Sequence, residues 1–134
     1  MNQGKYIFSQ LIDFLPRRTF DGIVETYDGN YGVRVFTCWN QLLCMIFGQL
    51  ISSDSLRELI YSLQAHKSKY YHLGFGTNIV RRTLGYANEK RSYRIFEKFA
   101  SVMIAKARKS CYRSDFEVNH SGHIYAIDST IVAP

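Results

Sequence analysis

The sequence predicts a mainly α-helical fold with a short β-strand stub at its C-terminal end. Apolar residues recur at helical spacing in several segments, whereas a single β-branched run near the C-terminus has the pattern of a strand. Hydrophobic residues make up 46% of the 134 residues and there are only two prolines, so a packed core is expected rather than a disordered chain. We predict three parts: a helical N-terminal domain over 1–76, a basic helical segment over 77–113, and a linker with the strand over 114–134.

Two short helices are predicted at the start of the chain. The first covers residues 6–15 and ends at Pro16, which cannot continue a helix. Four apolar residues share one face of this helix: Ile7, Leu11, Phe14 and Leu15. The second helix is expected over about 19–27, before a turn at 28–32 that is rich in Gly and Asn.

The strongest apolar segment follows and predicts a helical hairpin. Its first helix covers 39–51, with seven apolar residues at helical spacing: Trp39, Leu42, Leu43, Ile46, Phe47, Leu50 and Ile51. Polar residues at 52–54 separate it from the next helix. Ser55 and Glu58 have the spacing of a capping box, which marks the N-terminus of that helix.

The second half of the chain predicts a loop and further helices. Residues 67–76 are rich in Lys, Tyr and Gly and are expected to form a loop. Residues 77–88 predict one or two short helices with a break near Gly85. A long helix is expected over about 92–109, with one apolar stripe formed by Phe96, Phe99, Ala100 and Met103. A polar linker at 110–122 then leads to the strand at 123–128.

Charge is distributed unevenly along the chain. Residues 1–60 hold five basic and six acidic groups and carry a net charge of −1, whereas residues 61–134 hold twelve and five and carry +7. All twelve basic groups of the second half lie within 65–113, against only Glu89 and Glu97, so that window carries +10. A concentrated basic block favours a polyanionic partner, DNA or RNA. The alternative is an ordinary solvated surface.

The centre of this basic block contains the candidate DNA-contacting residues. Five basic side chains are candidates for phosphate contacts: Arg81, Arg82, Lys90, Arg91 and Arg94. Asn88 is a candidate for reading an adenine edge in the major groove. The alternative is that Asn88 interrupts a helix and that the basic residues form a solvated helix face.

Several other classes of site and location are disfavoured. The three cysteines form no Cys-x-x-Cys pair, and with the four histidines they fit no usual zinc spacing. Gly74-Phe75-Gly76 lacks the remaining residues of a phosphate-binding loop. The apolar run around 42–51 is too short to span a bilayer, and the N-terminus lacks the features of a signal peptide. We therefore expect a cytoplasmic protein with ordinary buried thiols and no membrane partner.

Three pieces of the sequence together resemble the N-terminal region of bacterial insertion-sequence transposases of the DDE type. The first runs from Phe36 to Glu58 and ends in Ser-Leu-Arg-Glu; the second contains Ala-Asn-Glu-Lys-Arg at 87–91. The third is Ala-Ile-Asp-Ser-Thr at 126–130. In order and spacing they are similar to the group whose opening helical domain is known only as a domain of unknown function. The resemblance covers nearly the whole chain.

The resemblance implies that Asp128 is the first catalytic acid, on the first strand of a ribonuclease-H-like fold. In such a domain three carboxylates hold two divalent ions, so Mg²⁺ is expected for a full-length homologue. One Asp cannot perform this chemistry, so no cofactor and no catalysis are expected for this chain alone. Considered without the resemblance, Asp128 is a strand-end carboxylate that caps the turn at 129–130.

The resemblance further implies a truncated transposase fragment whose remaining activity is DNA binding at the terminal repeats of an insertion sequence. The expected partners are that DNA and either a second copy of the chain or full-length transposase, in the bacterial cytoplasm at the nucleoid. Two alternatives stay open: a non-enzymatic regulator that occupies the element's ends, and an inert remnant of a decayed gene.

Overall fold

The structure is a computed structural model that describes residues 6–111. This part of the chain is helical and contains no strand, which confirms the mainly α fold class. The predicted strand at 123–128 lies outside the described residues. The helices are α1 (Ile7–Asp13), α2 (Arg17–Thr26), α3 (Cys38–Leu50), α4 (Leu56–Ala65), α5 (Arg81–Lys90) and α6 (Arg94–Cys111), with a short 3₁₀ turn at Lys67–Lys69.

Helices α3 and α4 begin at residues whose side chains satisfy the free backbone N–H groups of the first turn. The Thr37 hydroxyl accepts a hydrogen bond from the Asn40 N–H at 3.3 Å, and the Ser55 hydroxyl accepts one from the Glu58 N–H at 3.2 Å. The Glu58 carboxylate in turn accepts from the Asp54 N–H at 3.0 Å. The predicted helix start at Ser55 is confirmed, although the carboxylate bonds to the residue before the cap.

Helix α3 lies at the centre of the fold and packs against α2, α4 and α5, while α6 packs against α2. The aromatic centre of the core is Phe20, which is fully buried and lies edge-on to Trp39 and Phe99 at ring distances of 5.5 and 5.0 Å. Residues from both sides of position 76 contribute to one hydrophobic core. The division at residue 76 is therefore not a packing boundary, and the domain assignment stays a prediction.

Helix α1 presents a different face to the core from the one that its apolar spacing suggested. Ile7 and Phe14 share a face, as predicted, but they are 78% and 69% exposed. The buried residues of α1 are Phe8 and Ser9, and Ile12 packs partly buried against the core. Phe8 stacks on Phe75 at a ring distance of 6.0 Å. The helix is short and has apolar residues on both sides, so periodicity alone did not identify the buried side.

The segment after α4, which was predicted as a loop, packs against the core. Tyr70, Leu73 and Phe75 are buried in this segment, and the Ser9 hydroxyl donates a hydrogen bond to the carbonyl of His72. The turn therefore attaches α1 to the rest of the core.

Helix α5 is a single continuous helix, which was one of the two predicted arrangements; the alternative of two helices with a break near Gly85 is wrong. Leu84 and Ala87 on either side of Gly85 are buried, and their packing against α3 and α4 outweighs the low helix propensity of glycine. In α6 the fully buried residue is Ile95, with Phe99 almost as deeply buried, whereas Ala100 of the predicted stripe is exposed.

Replacement of two glycines by alanine should change the free energy of unfolding in opposite directions. A Cβ on Gly29 would lie 2.5 Å from the Ile95 side chain and 2.9 Å from the Cys38 sulfur, so Gly29→Ala should lower the free energy of unfolding by about 1–3 kcal/mol. Gly22 lies inside α2 with nothing within 4 Å of such a Cβ, so Gly22→Ala should raise it by about 0.5–1 kcal/mol. Urea unfolding of both variants tests the pair, and equal shifts would contradict the packing at Gly29.

Candidate nucleic-acid interface

A groove between α4 and α5 is lined by three arginines, which come from the first turn of each helix. Its lining, which defines the α4/α5 groove, is Ser55, Leu56, Arg57, Arg81, Arg82 and Gly85. The fold brings Arg57 next to Arg81 and Arg82 because α4 and α5 pack directly on each other. Arg57 was not among the predicted contacts because it lies in the acidic first half of the sequence.

The three arginines of the α4/α5 groove are exposed and have no ion pair or side-chain hydrogen bond with any residue in 6–111. No carboxylate from residues 6–111 lines the groove. The first turn of α5 also lacks a side-chain cap, since its N-cap residue is Val80. Guanidinium groups and uncapped backbone N–H groups both favour an anionic ligand, so the groove has the chemistry of a phosphate-contacting surface.

Two other predicted contact residues, Asn88 and Arg91, are engaged with the buried residue Gln41 of α3. The Gln41 side-chain amide donates to Asn88 Oδ1 at 2.7 Å, and Arg91 Nη1 donates to Gln41 Oε1 at 2.9 Å. Arg91 also donates to the carbonyl of Phe36 and lies over its ring. Burial lowers the pKa of the Arg91 guanidinium from its usual value. Both side chains therefore join α3 and α5, and their contacts with DNA stay predictions.

The remaining predicted contact residues are exposed. Lys90 Nζ lies 3.1 Å from a carboxylate oxygen of its neighbour Glu89, and both side chains are largely in solvent. Such surface pairs are weak, so this one does little to hold Lys90. Arg94 begins α6 and has no ion pair within 6–111. Asp128, with the implied Mg²⁺ site, lies outside the described residues.

No cluster of three or more His, Cys, Asp or Glu side chains within residues 6–111 is arranged to hold a metal ion. The predicted buried thiols are confirmed for Cys38 and Cys44, and burial raises the pKa of Cys44 to about 12. Over the same residues no helix combines the length and apolar character that a bilayer crossing requires.

Residues 3–76, more than half of the chain, match the family described as Domain of unknown function (DUF4372). The chain belongs to the DUF4372 family. The expected match to a helical domain of unknown function is thereby confirmed. No curated protein and no solved structure matches the chain.

The DUF4372 match spans α1 to α4 and the turn that follows, and it ends before the basic helix α5. The α4/α5 groove therefore combines Arg57 of the DUF4372 range with Arg81 and Arg82 beyond it. The Gln41 contacts cross the same boundary. The candidate interface is thus formed by the DUF4372 domain together with the segment that follows it.

Proposed function

We propose that this DUF4372 protein binds double-stranded DNA through the α4/α5 groove, as the DNA-recognising part of an insertion-sequence transposase of the DDE type. The transposase assignment rests on the three sequence pieces described above. The choice of this groove as the DNA contact rests on one observation: within the described part of the chain, three exposed, unpaired arginines from two helices line a groove that has no carboxylate.

The positive charge of the three groove arginines is better explained by a phosphate ligand than by ion pairs with acidic side chains of the protein. Like charges that are placed close together repel each other, and a protein normally relieves this with acidic neighbours. Here Glu58, the acidic residue of α4, accepts a hydrogen bond from the Asp54 N–H and forms no ion pair with the groove arginines. A duplex backbone supplies the missing negative charges, and the planar guanidinium fork suits phosphate oxygens.

The proposal concerns binding, and catalysis enters it only through Asp128. As the first acid of the triad, Asp128 would hold Mg²⁺ together with two further carboxylates, and the resemblance matches no other acid in these 134 residues. A regulator that occupies the element's ends would use the same groove. Preference for element-end DNA over scrambled DNA would support either role over general DNA binding.

Replacement of each groove arginine should reduce the salt dependence of duplex binding. For every phosphate contact that is lost, the slope of log affinity against log salt should fall by about 0.9. We expect this for Arg57→Ala, Arg81→Ala and Arg82→Ala, measured by fluorescence anisotropy over a series of salt concentrations. Arg18→Ala on α2 is the matched control, because it removes the same charge from an exposed arginine outside the groove.

Element-end and scrambled duplexes of equal length should be titrated in parallel. If the slope of log affinity against log salt falls equally in the three groove variants and in Arg18→Ala, the salt dependence comes from net charge. That result would contradict a site in the α4/α5 groove. The absence of duplex binding by the unaltered chain would overturn the proposal itself.

A further inference from the structure

A second groove lies on the other side of α5, between this helix and the segment 27–36 that joins α2 to α3. We call it the tyrosine groove. It encloses about 750 Å³, within the range of roughly 300–1,000 Å³ that is usual for ligand sites. Among the described residues the two grooves have no lining residue in common, so they are separate surfaces.

Two tyrosines line this groove with their rings in solvent. Tyr31 is 89% exposed and Tyr86 is 64% exposed, and neither ring has an aromatic or cationic partner within residues 6–111. Phe36, which is buried, and Tyr27, which is partly buried, complete the aromatic lining. Exposed, unpaired rings beside a cavity provide flat apolar surfaces for a planar ligand.

The charges and polar groups of the groove favour an anionic ligand that also carries hydrogen-bonding edges. Among the described residues, the cations that line it are Arg34, Lys90 and Arg91, and the only carboxylate is that of Asp28. Arg34 is exposed and has no ion pair within the described residues, whereas Arg91 is held by Gln41. Hydrogen-bonding side chains complete the lining: Asn78, Thr83 and Ser92.

The wall opposite α5 is fixed to the core. The Asn30 side-chain carbonyl accepts a hydrogen bond from the Cys38 N–H at 2.9 Å, and the carbonyl of Gly29 accepts from the Cys38 thiol at 3.2 Å. The carbonyl of Phe36 is bonded to Arg91 at the other end of the segment. These bonds within the protein hold the wall of the groove in place, and a wall that is already fixed lowers the entropic cost of binding.

From these features we propose that the tyrosine groove binds a single-stranded segment of nucleic acid. Bases stack on Tyr31 and Tyr86, and phosphates contact Arg34 and Lys90. Aromatic platforms within a cationic groove are the arrangement that binds unpaired strands, because every base offers a flat face whatever its sequence. The site is distinct from the duplex contact in the α4/α5 groove and does not depend on it.

The test measures binding of the 134-residue chain to labelled oligothymidine of about 10 nucleotides, a length within the usual range of single-strand sites. Tyr31→Ala and Tyr86→Ala should each weaken binding about 5- to 150-fold, the loss of one stacked base. Tyr31→Phe and Tyr86→Phe should keep most of the affinity because the ring is retained. Tyr71→Ala is the control, because Tyr71 is also 89% exposed but lies outside the groove.

A parallel titration with oligouridine of the same length distinguishes DNA from RNA as the source of the strand. Binding of either oligonucleotide that depends on the two tyrosines supports the proposal. Binding of neither oligonucleotide would overturn it. Equal losses in the alanine variants of Tyr31, Tyr86 and Tyr71 would also overturn it. Because the arginine variants and duplexes test the other groove, failure of one site is visible separately from failure of the other.

A second measurement needs no substitution and therefore does not depend on the stability of the variants. An oligonucleotide carrying 5-bromodeoxyuridine is irradiated in complex with the unaltered chain, and the cross-linked peptides are identified by mass spectrometry. Cross-links at Tyr31 or Tyr86 are expected. Cross-links confined to peptides outside the tyrosine groove would refute the assignment.

Discussion

Phe20→Ala is expected to lower the free energy of unfolding by about 3–5 kcal/mol. Phe20 is fully buried in α2, and its ring contacts Trp39 of α3 and Phe99 of α6 edge-on. Alanine would leave a cavity at the point where these three helices meet. The surrounding rings cannot fill that cavity without giving up their own contacts, so the loss should lie well above that of an average substitution.

Phe14→Ala is the matched control for this measurement, because it removes the same side chain from a position that is 69% exposed. It should change stability by about 0.5 kcal/mol or less. Chemical denaturation followed by circular dichroism gives both values. Similar losses in the two variants would mean that Phe20 is not the centre of the core.

Arg91→Ala should lower the free energy of unfolding by about 2–4 kcal/mol, even though Arg91 was predicted from sequence as a DNA contact. The guanidinium donates to Gln41 Oε1 and to the carbonyl of Phe36, and it lies over the Phe36 ring at 5.5 Å. Alanine would leave these two acceptors without their donor. Gln41 is buried, so water cannot readily replace the lost bond.

Two further variants separate the structural role of Arg91 from a role of its charge. Arg91→Lys keeps the charge but not the planar fork. It should therefore lower the free energy of unfolding by most of the amount expected for Arg91→Ala. Lys90→Ala removes a charge from the exposed neighbouring position and should be close to neutral for folding. If the Arg91→Ala variant were as stable as the Lys90→Ala variant, the hydrogen bonds of Arg91 to Gln41 and Phe36 would not stabilise the fold.

The parts of the fold that were predicted correctly depend on local signals. The bounds of α3 and α4 follow from dense apolar spacing and from the side chain of Ser55, whose bond to Glu58 spans three residues. Of the two arrangements predicted for 77–88, the one with a break at Gly85 is wrong because it depended on helix propensity alone. Burial of Leu84 and Ala87, which involves helices distant in the sequence, decided the outcome.

In the candidate sites, too, the contacts between elements that are distant in the sequence could not be predicted. The sequence located the basic block and included Arg81 and Arg82, but Arg57 joins them only because α4 packs on α5. Asn88 and Arg91 were predicted as part of a DNA-facing set, whereas their partner Gln41 lies 47 and 50 positions away. No periodicity within a helix indicates such a partner, since hydrogen bonds between elements are set by tertiary packing.

The hydrogen-bond partners of Arg91 bear on how the fold responds to salt. This guanidinium is held by an amide oxygen and a backbone carbonyl, both uncharged, at the junction between α3 and α5. Dissolved ions screen interactions between exposed full charges far more than short hydrogen bonds to neutral acceptors. The junction should therefore stay intact as ionic strength rises. A salt titration of DNA affinity would then report the release of counterions from the nucleic acid, without a contribution from loosening of the helices that form the grooves.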